Sequence, residues 1–180
     1  MIHLYSGVGR GKTSIAVGTA IRMAGAGKKV IFAQFMKGQE SSEIGILSSL
    51  PNVEICCVPE KFPFYNQMSE EQMQRITKYH NDILMQIMDE IRCVGEKGEG
   101  GRSPKLLVVL DEITYPVSWN LINQTLVNHL LSDLPESVEL IMTGRNPSEE
   151  MIAFSDYWSE VTKKRHPYEK GVMARKGVEY

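Results

Sequence analysis

Short apolar runs alternate along this chain with longer segments in which apolar residues recur every three or four positions. The short runs fall at 2–5, 29–35, 53–58, 106–110 and 138–142, with a sixth near 157–162. They read as continuous apolar stretches and lack the strict period-two alternation of a sheet with one wet face. Such runs belong to parallel strands covered on both faces. The segment opening at Ser69 is the clearest helix. Ser69-Glu70-Glu71-Gln72 has the form of a capping box, with Gln72 reaching back to the cap amide. Met73, Ile76, Ile83, Leu84, Ile87 and Ile91 then form one buried stripe. The glycine-rich stretch 95–104 ends that helix as a loop. Strands alternating with helices predict an α/β architecture in a single domain over 1–180, with a mostly parallel central sheet and helices on both faces.

Composition narrows the class without setting it. The 180 residues carry a net charge of -2 and 23% charged residues, which argues against a general nucleic-acid binder. The opening Met1-Ile2-His3-Leu4-Tyr5 has no basic flank or long apolar core, and the longest apolar runs are far too short to span a bilayer. The expectation is a cytoplasmic protein with no membrane partner. Cys56, Cys57 and Cys93 form no C-x-x-C pair, so neither a disulfide framework nor a zinc site is expected, and Cys56 and Cys57 are expected as buried free thiols. His80 lies near the helical stripe as a structural histidine, while His3, His129 and His166 are scattered and suggest no metal site.

The chemistry is concentrated after the first strand. Ser6-Gly7-Val8-Gly9-Arg10-Gly11-Lys12-Thr13 leads into a helix through Ser14. Glycines let successive backbone amides point inward, and the helix start adds partial positive charge, so the segment suits a phosphate cradle. Lys12 suits the neutralisation of phosphate oxygens, and the Thr13 hydroxyl suits magnesium. Ser6 stands where the usual pattern has its first glycine. A second element, Leu106-Leu107-Val108-Val109-Leu110-Asp111-Glu112, delivers acidic residues at the end of an apolar strand, as a magnesium-holding strand does. These residues describe a P-loop nucleotide enzyme. They leave open a kinase or ATPase acting at the γ-phosphate, and a non-catalytic ATP-sensing protein.

The wording of the motifs goes further. Gly7-x-Gly9-x-Gly11-Lys12-Thr13 is followed by Gln34-Phe35-Met36-Lys37-Gly38, Val109-Leu110-Asp111-Glu112-Ile113-Thr114-Tyr115 and Thr143-Gly144-Arg145. The chain closes with Arg165-His166-Pro167-Tyr168, Gly171-Val172, Ala174 and Gly177-Val178-Glu179-Tyr180. In these pieces, taken in order over nearly the whole length, the sequence resembles the P-loop-type ATP:cob(I)alamin (corrinoid) adenosyltransferases.

The resemblance implies a P-loop NTPase (RecA-like) fold and transfer of the 5′-deoxyadenosyl group of ATP to the cobalt of a reduced corrinoid, with release of triphosphate. The nucleophile is then the substrate's own metal, which fits the lack of any Cys/His or Ser/His/Asp arrangement. The protein must hold the leaving group and align carbon with cobalt. Carried over, the resemblance assigns ATP to Ser6, Gly7, Val8, Gly9, Arg10, Gly11, Lys12, Thr13 and Ser14. It gives magnesium to Thr13, Asp111 and Glu112, with Glu112 also near the ribose, and phosphate to Arg145. ATP is expected to lie reversed relative to ordinary P-loop enzymes, its 5′-carbon facing the corrinoid. Phe62 and Phe64 would press on the lower face of the corrinoid, where apolar rings favour a four-coordinate, more readily reduced cobalt. Read by themselves, these two rings could equally cap the core. The resemblance further implies a homodimer and an electron-donor protein, and it leaves open a non-catalytic ATP- or corrinoid-sensing protein with the same fold. Departures from the family pattern are Arg10 and Ser14 for the commoner lysine and threonine, Arg175 for glutamine, the stretch 95–104, which reads as an insertion, and Met1 at the first strand, where relatives often carry an extension that helps cover the corrinoid.

Overall fold

The computed structural model describes residues 1–36, 41–96 and 104–178. Six strands form one sheet: β1 (Ile2–Ser6), β2 (Lys29–Gln34), β3 (Val53–Cys57), β4 (Leu106–Asp111), β5 (Val138–Thr143) and β6 (Tyr157–Glu160). Their order is β3-β2-β4-β5-β1-β6 and every pairing is parallel. Each predicted strand is present, within a residue or two at its ends. β6 departs from the rest, since Tyr157 and Trp158 on this edge strand are half exposed.

The continuous runs divide their side chains between two cores. On one face Ile31, Ala33, Val108 and Leu110 pack beneath α3 (Glu70–Glu96) and α5 (Gln124–Ser132). On the other, Val30, Phe32, Leu107 and Val109 meet α1 (Lys12–Gly25) and α2 (Ser42–Leu47). Successive residues of a strand point to opposite faces, so a strand covered on both sides must be apolar throughout. α1 turns Ala16 and Ala20, both fully buried, toward the sheet, and small residues let the helix lie close to the strands. The capping box forms as read: Ser69 N donates to Gln72 Oε1 at 2.9 Å and Gln72 N to Ser69 Oγ at 3.3 Å. The short helices α4 (Thr114–Ser118) and α6 (Glu149–Ala153), together with α2 and α5, are elements that the periodicity did not single out.

All strands point the same way, so the loops after β1, β2, β4 and β5 gather at one edge of the sheet. That edge is where open α/β sheets place their ligands. Lys37 and Gly38 of the second motif, most of the stretch 95–104, and Glu179 and Tyr180 of the closing motif lie outside the described residues.

Candidate functional site

The loop after β1 curls around its own lysine. Lys12, nearly buried at the start of α1, donates from Nζ to the Gly7 carbonyl at 2.8 Å and the Gly9 carbonyl at 3.0 Å. The loop is also pressed against the strand beside it. The Gly9 amide donates to Val161 O at 2.6 Å, and a Cβ built on either Gly7 or Gly9 would come within 2.6 Å of that same oxygen. The glycines at 7 and 9 therefore serve close backbone approach as well as curvature. Ser6 ends β1 with its hydroxyl accepting from the Trp158 indole at 2.8 Å, so this side chain is committed to the sheet edge and only its backbone leads into the loop.

Asp111 is fully buried at the end of β4 and collects three donors. Thr13 Oγ1 reaches Oδ1 at 2.9 Å, Thr143 Oγ1 reaches the same oxygen at 2.7 Å, and Gln34 Nε2 reaches Oδ2 at 3.1 Å. The first turn of α1 and the ends of β2, β4 and β5 are thus tied to one carboxylate. A buried charge needs such compensation. Gln34 Oε1 is itself buried without a partner among the described residues.

Glu112 follows in a left-handed conformation, φ 62°, with its amide donating to Thr143 Oγ1 at 2.9 Å. Strain of this kind, on the order of 1–3 kcal/mol, persists where surrounding contacts fix the backbone and often marks a working residue. The turn brings Glu112 to the wall of a cavity of about 240 Å³ formed by residues 8–14 of the loop with Arg145 and His166. Sequence-expected Val8, Gly9, Arg10, Gly11, Lys12, Thr13, Ser14, Glu112 and Arg145 therefore meet at one place. Gly144 lets Arg145 get there. Its φ is 145°, and a Cβ would fall 2.0 Å from Thr114 Oγ1.

Glu112 also lines a second, larger cavity of about 600 Å³ whose walls are Met36, Phe62, Phe64, Tyr65, Tyr115 and Trp119, among others. Here the expected aromatic pair separates. Phe64 is 81% exposed and free to meet a ligand. Phe62 packs against the core, edge-on to Tyr79 at 6.4 Å, with the Arg75 guanidinium 5.7 Å from its ring centre. The better-formed apolar wall is one the sequence reading missed: Trp119 stacks on Tyr65 at 4.6 Å and meets Tyr115 at 4.8 Å. The signal was present as Tyr115 and Trp119, one helical turn apart just after the acidic strand end. The Tyr115 hydroxyl is held above its ordinary pKa, by burial first and then by the Glu112 charge, with Arg145 opposing.

Thr13, Asp111 and Glu112 offer hard oxygen donors of the type magnesium prefers. Among the described residues no group of three or more His, Cys, Asp or Glu is placed to hold a metal. A cation here would depend on Thr13, one or two carboxylates, water and the phosphates of a nucleotide, which is the usual magnesium arrangement.

His80 is a core residue, as expected: fully buried, with Nδ1 2.9 Å from Leu121 O. All three cysteines are free. Cys56 is buried, with burial pushing its thiol up to about 12. The expectation of a buried pair holds only there, because Cys57 at the end of β3 is partly exposed.

The family model described as "ATP:corrinoid adenosyltransferase BtuR/CobO/CobP" matches residues 1–180. The corrinoid adenosyltransferase of Escherichia coli (strain K12) is 28% identical over 180 residues, covering 100% of this chain and 85% of the relative. The corrinoid adenosyltransferase CobA of Salmonella typhimurium is 30% identical over 184 residues, again covering 100% of this chain and 85% of the relative. Among solved structures, EssC (ATPases 2 and 3) from Geobacillus thermodenitrificans superposes with a TM-score of 0.51 at 14% identity. It covers 98% of this chain, which spans only 34% of that one, so the likeness concerns the fold alone.

Proposed function

The chain belongs to the ATP:corrinoid adenosyltransferase family, and on that premise we propose that it transfers the 5′-deoxyadenosyl group of ATP to the cobalt of a reduced corrinoid, forming adenosylcobalamin or an adenosylcobamide. The observation that carries this reading is the shared wall at Glu112, which joins the cavity of the glycine-rich loop to an aromatic one. An enzyme acting at the γ-phosphate needs its second substrate at the far end of the phosphates. An enzyme that brings a second, flat macrocyclic substrate to the nucleoside end needs room and flat contact on the other side of the loop cavity, as the aromatic cavity offers.

In the reaction, the electron pair of cobalt(I) forms the cobalt–carbon bond at C5′, the C5′–O bond breaks, and triphosphate leaves with that bond's electrons. Cobalt passes formally from +1 to +3. The chain's own part is placement and charge. The loop amides and Lys12 would surround the departing triphosphate, and Arg145 would add a cation at its edge. Glu112, at the junction of the two cavities, would fix the ribose so that C5′ faces the aromatic side. Tyr115, Trp119 and Phe64 would exclude water there and offer flat apolar contact. Magnesium, held by Thr13 with Asp111 and Glu112, would supply further positive charge to the leaving group. Asp111, already accepting three hydrogen bonds, would act through the ion's water shell, with Thr13 nearer the ion. The reading includes an electron-donor protein that delivers cobalt(I), a homodimer and a cytoplasmic location. With the last it is consistent that no described helix is long and apolar enough to cross a membrane.

The test is anaerobic incubation of the protein with magnesium-ATP and chemically reduced cobalamin, followed by absorbance. Growth of a light-sensitive alkylcobalamin spectrum is expected, abolished by excess chelator. Persistence of the cobalt(I) spectrum at saturating ATP would refute the assignment.

A further inference from the structure

Thr143 is fully buried at the end of β5 and lines neither the loop cavity nor the aromatic one. Its hydroxyl nevertheless joins the two acidic residues at the end of β4. Thr143 Oγ1 donates to Asp111 Oδ1 at 2.7 Å and accepts from the Glu112 amide at 2.9 Å. A hydroxyl has one proton and two lone pairs, and an amide N–H can only donate, so the proton goes to the carboxylate. These bonds fall where the sheet releases the chain. The register of β4 with β5 ends at Leu110 and Met142. One residue later β4 itself ends, and the hydroxyl takes the Glu112 amide. Glu112 then turns left-handed, φ 62°, a conformation that a residue with a side chain keeps only where its surroundings fix it. Thr143 is itself fixed, in register with Tyr5 of β1.

The direction of that turn decides where the Glu112 carboxylate stands on the wall that the two cavities share. We propose that Thr143 is a positioning residue: by holding the Glu112 amide beside Asp111, it sets the turn that presents the Glu112 carboxylate to the ribose of bound ATP. It touches no ligand and acts through Glu112. The inference deepens the adenosyl-transfer reading and rests on it for the place of Glu112 at the ribose. Valine has the shape of threonine with neither donor nor acceptor. Thr143→Val therefore removes the acceptor of the Glu112 amide and loosens the turn, while Lys12 and the loop amides are left to hold the phosphates.

The experiment is calorimetric titration of the full chain, with magnesium, against ATP and against inorganic triphosphate, which has no ribose. The ratio of the two affinities reads the nucleoside end alone, because a change that reached magnesium through Asp111 would weaken both ligands alike. In Thr143→Val the ratio of ATP to triphosphate affinity should fall about three- to tenfold, the scale of one hydrogen bond. Thr143→Ser, which keeps the hydroxyl, should stay within about twofold of wild type on the same scale. Glu112→Ala should lower the ratio by itself, and adding Thr143→Val to it should lower the ratio by less than about twofold more, since two residues that act as one do not add. Thr143→Ala carries the same expectation if Thr143→Val does not fold. An unchanged ratio in Thr143→Val would overturn the role, as would equal weakening for both ligands. So would a loss in Thr143→Ser as large as in Thr143→Val, or an undiminished further loss in the Glu112→Ala background. The titration contains no corrinoid, so the two readings fail separately. Alkylcobalamin formed by wild type, with an unchanged ratio in Thr143→Val, removes the positioning role alone. A ratio that falls in Thr143→Val, where wild type forms no alkylcobalamin, supports the positioning role and removes adenosyl transfer.

Discussion

Lys12 and Asp111 organise the site from opposite sides, and the sequence exposed them unequally. Lys12 was legible because its motif is local: three glycines, a lysine and a threonine between a strand and a helix. The partners of Asp111 were not, because Gln34 and Thr143 lie 77 and 32 positions away and meet it only when β2, β4 and β5 align. Lys12 cross-links the loop through the Gly7 and Gly9 carbonyls and, under the proposed function, neutralises the leaving group. Lys12→Ala should lose about ten- to a hundredfold in turnover at saturating ATP, the 1.5–3 kcal/mol typical of a charge-assisted contact. Steady-state alkylcobalamin formation measures it, and near wild-type turnover would remove the role. Phe62 and Phe64 belong to the same scale and now divide. Phe62→Ala should lower stability by about 1–3 kcal/mol, as expected for a half-buried ring, measurable by urea unfolding. Phe64→Ala should leave stability nearly unchanged, yet slow adenosylation when cobalt(II) must be reduced on the enzyme, with recovery when cobalt(I) is supplied. Equal stability of the two variants would contradict the division.

Whole elements carry a different kind of information. α3 was readable from its capping box and stripe, whereas α2, α4, α5 and α6 span five to nine residues each and are too short for periodicity to declare them. α4 matters most, since it carries Tyr115 and ends at Trp119, its C-cap. α3 brings His80 into the core, where desolvation lowers its pKa from 6.5 to about 4 against a partly opposing hydrogen bond to Leu121. The sign follows from linkage. Above pH 6.5 the ring is neutral in folded and unfolded chains alike, so His80 adds no pH dependence. Between 6.5 and about 4 the unfolded chain takes up the proton and the folded one does not, so stability falls as pH falls. The full loss is about 3 kcal/mol near pH 4. Urea midpoints across this window should fall more steeply for wild type than for His80→Gln, and parallel curves would place His80 outside the core.

At the scale of the whole molecule, the parallel sheet and its two covered faces followed from apolar runs that never needed a polar side. β6 shows where that reasoning stops. As an edge strand it leaves Tyr157 and Trp158 half exposed, and its contribution is to seat Val161 against the loop. The family motifs named most of the side chains at the loop-cavity end of the site and few at the aromatic end, because Tyr65 and Trp119, which stack there, lie 54 positions apart. What the molecule does as a unit is to set these two ends against Glu112. The most direct measurement is phosphorus NMR of the products formed from ATP and chemically reduced cobalamin, read alongside the alkylcobalamin absorbance. The account predicts one inorganic triphosphate for each cobalt–carbon bond formed. ADP with phosphate, or phosphate release without an alkylcobalamin, would contradict it.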